Sequence, residues 1–173
     1  MTTITILGAG VMGSALTIPL TDRGHAVRLV GTHLDTDIIE EIHQSRTHPR
    51  LKRRIPESVI PYPVAGLEEA LHAADLLVLG VSSPGVRWAG ETLSRRLPAG
   101  LPILMLTKGL AVSGGRIVTL PELLRQMLPE EMRRETRIAA LGGPSFAVER
   151  NPLLEMVEAP PTRMISSNPM TWL

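Results

Sequence analysis

Between residues 4 and 16 the chain reads ITILGAGVMGSAL, an apolar run followed by three glycines in the order G-x-G-x-x-G, at Gly8, Gly10 and Gly13. That order suits a strand turning sharply into a helix. The first glycine permits the tight turn, the second lets a pyrophosphate come close to the backbone, and the third lets the helix pack tightly on the sheet. The N–H groups and partial positive charge at the start of such a helix favour a phosphate. On its own the motif is weak. Here it follows a strand-like run, opens a helical one and is succeeded by a second strand-like run, HAVRLVG, which is the context that dinucleotide binding requires.

The same alternation continues down the chain. Short apolar runs at residues 3–7, 26–30, 76–81, 103–107 and 137–141 each lead into a turn-forming cluster: GAG, GTH, SSPG, KGLAVSGG and GGPS. DLLVLGV and PILMLT are continuously apolar rather than alternating, as strands buried on both faces are. Between the runs, LDTDIIEEIHQSR has Leu34, Ile38, Ile39 and Ile42 at helical spacing, with Asp35 placed to cap its start. GLEEALHAAD and LPELLRQML read as further helices, and SSPGVRWAGETLSRRL offers Ser83 as cap and Pro84 as first helical residue. The pattern predicts a doubly wound parallel α/β sheet of the Rossmann type in one domain. Pro19 falls inside the helix expected over residues 12–23, which predicts a kink near Ala15 or an early end.

At 173 residues the chain has room for about one domain. We divide it into a dinucleotide-binding domain over residues 1–150 and a proline-rich tail over 151–173, in which only TRMIS resembles a strand. A net charge of +1 gives no broad field for polyanions, and 2% aromatic residues leave no base-stacking platform, so nucleic acid is not an expected partner. The absence of cysteine removes disulfides, thiolate metal sites and a cysteine nucleophile. No metal is expected. The N-terminus lacks a basic leader segment and no run of about 18 apolar residues occurs, so neither a signal peptide nor a membrane span is predicted and the cytoplasm is the expected compartment.

The motif leaves the choice between NAD and NADP open. An acidic residue about 20 residues beyond the glycines would bind the ribose hydroxyls of NAD, and an Arg there would suit the phosphate of NADP. The chain has Gly31-Thr32-His33 at that place; Asp35 reads as a helix cap and Arg28 lies within a strand.

Four segments together, GAGVMGSA, LVGT, TKGL and GGPSFAVE, resemble in order and spacing the cofactor-binding half of the NAD(P)-dependent glycerol-3-phosphate dehydrogenases. GTHLDTDIIEEI with HPRL is similar to one branch of that family, and the likeness covers most of the first 150 residues. The glycine loop is common to many dehydrogenases; Lys-Gly after one strand and Gly-Pro-Ser-Phe-Ala after the next are more specific. Members of that family interconvert glycerol 3-phosphate and dihydroxyacetone phosphate with NAD or NADP. The resemblance implies an oxidoreductase acting on that small-molecule substrate. It places Gly8, Gly10, Val11, Met12 and Gly13 on the cofactor's pyrophosphate and Thr32 beside the adenosine ribose. It places Lys108, Gly143 and Ser145 near substrate and Ala147 on the cofactor side, with Lys108 also reaching the cofactor.

Lys108, a compact cation with rotatable donors, would stabilise negative charge gathering on the substrate oxygen. Without the resemblance it reads as a solvated lysine, and Ser145 reads equally as a helix cap behind Pro144. The family continues into an all-helical domain that supplies its acid–base lysine, and no counterpart lies in these residues. The five histidines, His25, His33, His43, His48 and His72, read as surface or cap residues, and HPRLKRR as a solvated loop. Two other functions remain open: another two-domain dehydrogenase acting on a hydroxy acid, and a non-catalytic nucleotide-binding module. A homodimer is left open as well.

Overall fold

The computed structural model describes residues 1–142. The chain runs through β1 (Thr3–Leu7), α1 (Val11–Asp22), β2 (Ala26–Val30), α2 (Thr36–Ser45), β3 (Thr47–His48), β4 (Arg53–Arg54), β5 (Ile60–Tyr62), α3 (Leu67–Leu71) and β6 (Leu76–Leu79). It continues through α4 (Gly85–Leu93), β7 (Ile103–Met105), β8 (Leu110–Ser113), β9 (Arg116–Thr119), α5 (Leu120–Met127), α6 (Glu130–Glu135) and β10 (Ile138–Ala140). Six strands form one sheet in the order β10-β7-β6-β1-β2-β5, and every neighbouring pair is parallel. The chain winds outward from β1 to β2 and β5, then returns across β1 to β6, β7 and β10. The order therefore reverses between β1 and β6, the place where doubly wound sheets hold ligands beyond their strand ends.

Why the strands read as unbroken apolar runs is visible in their packing. Ile4, Ile6, Leu76 and Val78 face the cluster under α1 and α2, which contribute Leu16, Leu20, Ile38, Ile39 and Ile42. Leu7, Leu77 and Leu79 face the opposite cluster, with Leu67 and Leu71 of α3, Val86 and Leu93 of α4, and Leu123 and Leu124 of α5. Both faces of the central strands are covered, so no alternation is required. Thr5 is the one buried polar residue of β1, and it donates its hydroxyl to the Ala70 carbonyl.

Several details depart from the sequence reading. Helix α1 passes through Pro19 to Asp22 without ending early. The proline removes one N–H, while Leu16 and Leu20 on either side of it stay anchored in the core, and the Thr21 hydroxyl donates to the Thr17 and Ile18 carbonyls at 2.9 and 2.8 Å. Leu34 lies outside α2 and is 71% exposed. Helix α4 begins at Gly85 behind Pro84, and the Ser83 hydroxyl donates to the Lys108 carbonyl at 3.3 Å instead of capping the helix. Strand β5 was not anticipated. Its central residue is Pro61, which pairs with Leu29 and is tolerated because β5 lies at the sheet edge. The β8–β9 hairpin turns at Gly114 and Gly115, with φ of 56° and 74°, and leaves Leu110, Val112 and Ile117 exposed.

Gly143, Ser145, Ala147, the GGPSFAVE segment beyond Gly142 and the tail over 151–173 lie outside the described residues. Among the described residues no helix is long and apolar enough to cross a membrane.

Candidate functional site

The loop after β1 is held by steric demands that differ at each of its glycines. Gly8 has φ +115°, and a Cβ there would lie 2.7 Å from the Gly80 backbone carbonyl group. Gly13 is buried in the first turn of α1, where a Cβ would stand 2.1 Å from the Gly8 oxygen. Gly80, just beyond β6, closes the same contact, since its own Cβ would come within 3.3 Å of the Gly13 Cα. These three glycines let loop, helix and neighbouring strand touch backbone to backbone. Gly10 differs from them all. It is the N-cap of α1 with φ −64° and ψ 177°, and a Cβ there would meet nothing within 4 Å. Its lack of a side chain therefore answers no need of the fold itself.

The space beside Gly10 fits an anionic group. Helix α1 begins here with no side-chain cap and no acidic residue in its first turn, and the first N–H groups of any α-helix lack intrahelical partners. Val11 is exposed, and Met12 is half-buried behind it.

Two side chains not assigned to the site by the sequence hold this loop in shape. Asp35 caps α2 only through its backbone, the Ile39 N–H donating to its carbonyl at 2.9 Å. Its buried carboxylate turns back instead. Oδ2 accepts from the Thr32 N–H at 2.9 Å, the Thr32 hydroxyl at 2.8 Å and the Ala9 N–H at 3.3 Å. Thr32, two residues beyond β2 and set beside the ribose by the family resemblance, is thus tied to the glycine loop through one carboxylate oxygen. The Thr32 hydroxyl also accepts the Leu34 N–H at 3.2 Å. Next to it, His33 leans on Trp88 of α4 with ring centroids 4.9 Å apart.

The second is His48, read from sequence as a surface or cap residue. It is fully buried. Its Nε2 lies 2.9 Å from the Ala9 carbonyl oxygen, while Nδ1 accepts the N–H groups of Arg50 and Leu51 at 3.1 and 2.9 Å. The HPRLKRR segment is accordingly a hairpin, β3–β4, with its arginines exposed and its histidine inserted beneath the glycine loop. Asp35 had a local signal in its spacing from Thr32; His48 had none.

Lys108 follows β7 and is exposed. With Thr107, Gly109, Thr119, Ala140 and Gly142 it borders a cavity of about 360 Å³ at the ends of β7 and β10. The Thr107 hydroxyl donates to the Val81 carbonyl, joining that strand end to the one after β6. The glycine loop, Thr32 and Lys108 therefore all lie beyond the carboxyl ends of the parallel strands, on one edge of the sheet. Among the described residues no group of three His, Asp or Glu side chains stands together in a way that could hold a metal ion.

Residues 3–159 match the family model described as the N-terminus of NAD-dependent glycerol-3-phosphate dehydrogenase. The chain belongs to that family. It is 37% identical over 168 residues to the NADP(+)-dependent glycerol-3-phosphate dehydrogenase of Archaeoglobus fulgidus, covering 96% of this chain and 46% of that protein. It is 33% identical over 144 residues to the glycerol-3-phosphate dehydrogenase [NAD(P)+] of Myxococcus xanthus, covering 83% of this chain and 41% of that one. Among solved structures, the glycerol-3-phosphate dehydrogenase of Coxiella burnetii superposes with a TM-score of 0.69 at 28% identity, over 84% of this chain and 42% of its own. The chain thus spans less than half the length of these relatives and corresponds to their N-terminal, nucleotide-binding part. A ketopantoate reductase from Ralstonia eutropha, with a TM-score of 0.58 and 21% identity, shares the fold alone.

Proposed function

We propose that this chain is the dinucleotide-binding part of an enzyme that interconverts glycerol 3-phosphate and dihydroxyacetone phosphate with NAD or NADP. The observation that carries the reading is Gly10: a glycine that the fold does not need, at the uncapped start of α1, in a family whose model covers the whole loop. Gly8, Gly10, Val11, Met12 and Gly13 hold the pyrophosphate, and Thr32 faces the adenosine ribose. When bound, the nicotinamide exchanges a hydride with the middle carbon of the substrate.

The chain's own contribution to the chemistry is positional and electrostatic. Lys108, at the rim of the cavity beyond β7, stabilises negative charge on the substrate oxygen; Gly143 and Ser145 adjoin the substrate and Ala147 the cofactor. A fixed cation aimed at developing charge contributes on the order of 10²–10³ in rate at such sites. Residues 1–150 form the cofactor domain, and 151–173 are a tail to it. The working protein acts in the cytoplasm, and two copies associate.

The test is steady-state reduction of dihydroxyacetone phosphate by NADH or NADPH, using this chain alone and continued by a family-type C-terminal half. Turnover in the extended chain, reduced roughly 100-fold by Lys108→Ala, is expected. Dinucleotide binding without turnover on this substrate in the extended chain would overturn the reading.

A further inference from the structure

We infer that His48 is a positioning residue for dinucleotide binding, acting as a lock on the peptide group that joins Ala9 to Gly10. The inference rests on the dinucleotide reading given above. It begins with the tautomer. Nδ1 of His48 accepts two backbone N–H groups, from Arg50 and Leu51, so the ring proton resides on Nε2 and is donated to the Ala9 carbonyl. The Ser14 hydroxyl donates to the same oxygen at 3.0 Å, which fills its second lone pair.

A trans peptide group is planar, with its C=O and N–H pointing in opposite directions. The described residues contain no cis peptide bond, so fixing the Ala9 carbonyl downward onto His48 and Ser14 fixes the Gly10 N–H upward, away from the protein interior. Glycine loops lack the steric bias that would otherwise hold a peptide in one orientation. The preceding peptide is held from its other side, because the Ala9 N–H donates to Asp35. The loop therefore meets its ligand with donors already aimed, and binding need not fix them at that moment. His48 does this from 39 residues away, on a hairpin that has no other evident reason to bury a histidine.

The two ring nitrogens do separate jobs, and two substitutions separate them. In His48→Asn the amide oxygen stands where Nδ1 stood and still accepts the hairpin N–H groups, but nothing reaches Ala9. In His48→Gln the longer side chain brings an amide N–H to the place of Nε2 and leaves the hairpin N–H groups without their acceptor. Calorimetric titration of the full chain with NADH and NADPH is run beside a thermal melt of each variant. His48→Asn is expected to melt above His48→Gln, because it keeps the hairpin acceptor, yet bind the preferred dinucleotide about fivefold more weakly, the factor one ordinary hydrogen bond is worth. His48→Gln is expected to melt lower and recover affinity to within about twofold of wild type.

Wild-type chain that binds neither dinucleotide would overturn the dinucleotide reading, and the lock with it. Wild-type binding with an unaltered His48→Asn affinity would overturn the lock alone. So would affinity that simply follows the melting temperature across the two variants, because that is the behaviour of a residue that only supports the fold.

Discussion

Gly10 and Gly13 lie three residues apart in one motif, and the structure predicts opposite consequences for the same added methyl group. In Gly13→Ala the new Cβ would stand 2.1 Å from the Gly8 oxygen and 3.3 Å from Ile6 Cγ2. That is more than about 1 Å short of ordinary non-bonded contact. The obstacle is backbone and has little freedom to yield, since the Gly8 N–H is bonded to the Val30 carbonyl at 2.8 Å and Gly80 packs against it. Overpacking at a site with so little freedom costs about 3 kcal/mol, the upper end of the usual range. For a chain of this size that corresponds to a fall of roughly 6–12 °C in melting temperature. In Gly10→Ala the methyl enters open space at an ordinary φ of −64°. Loss of a tolerated N-cap residue and reduced freedom of the unfolded chain nearly offset one another, leaving a net change within about 1 kcal/mol. Affinity responds the other way. The methyl occupies the approach to the loop and forces a bound phosphate off its N–H donors, a loss of about 1.5–3 kcal/mol, or roughly 10–150-fold in Kd. Thermal melts and calorimetric titration with NADH and NADPH on both variants check this. A Gly10→Ala chain that binds as wild type does, or a Gly13→Ala chain that melts with it, would refute the division of labour argued here.

Two further outcomes are expected. Asp35→Ala removes the acceptor shared by the Ala9 and Thr32 N–H groups, leaving a buried donor in the loop without its partner; this lowers stability by about 2 kcal/mol, readable as a shifted denaturant midpoint, and an unchanged midpoint would contradict the network. Tyr62 is the sole tyrosine, and its hydroxyl donates to Glu69 at 3.3 Å. Burial raises its phenol above the ordinary value of 10.0, with the Glu69 carboxylate adding to the effect. Because the folded state favours the neutral phenol, this contribution to stability is present below pH 10.0 and is lost as pH rises through the folded value. Tyrosinate absorbance should therefore show a midpoint above 10.0 that Glu69→Gln lowers; a midpoint at or below 10.0 would contradict the packing.

The elements legible in the sequence are those whose cause is local. Buried parallel strands announce themselves as unbroken apolar runs, and all five of the expected runs lie in the sheet as β1, β2, β6, β7 and β10. Helix α5 begins at the first residue of LPELLRQML, capped in the structure by Thr119, whose hydroxyl accepts the Glu122 N–H. Strand β5 was hidden by Pro61, which argues against a central strand but not against an edge. The β8–β9 hairpin was readable, since two glycines between LAVS and RIVT are a turn signal; within KGLAVSGG they read only as a loop.

The site divides along the same line. The glycine order identifies the loop because Gly8 and Gly13 answer steric demands within a few residues or across to the next strand, and Gly10, which answers none, keeps the helix start open. What holds the loop in place is a different matter. Asp35 acts on Ala9 from 26 residues away and His48 from 39, and each bonds to backbone, which carries no residue-specific signature. A polar side chain whose partner is a main-chain N–H or C=O leaves no complementary residue in the sequence to pair it with. Asp35 looks like a helix cap because its backbone is one, and His48 looks like a loop residue because its neighbours are exposed arginines. Any chain with this glycine order must still orient the peptides between the glycines, and glycine's own freedom works against that. The two pins meet that need in this chain; Asp35 leaves a local trace in its spacing from Thr32, whereas the position of His48 becomes known only once the fold shows which buried polar group lies beneath the loop.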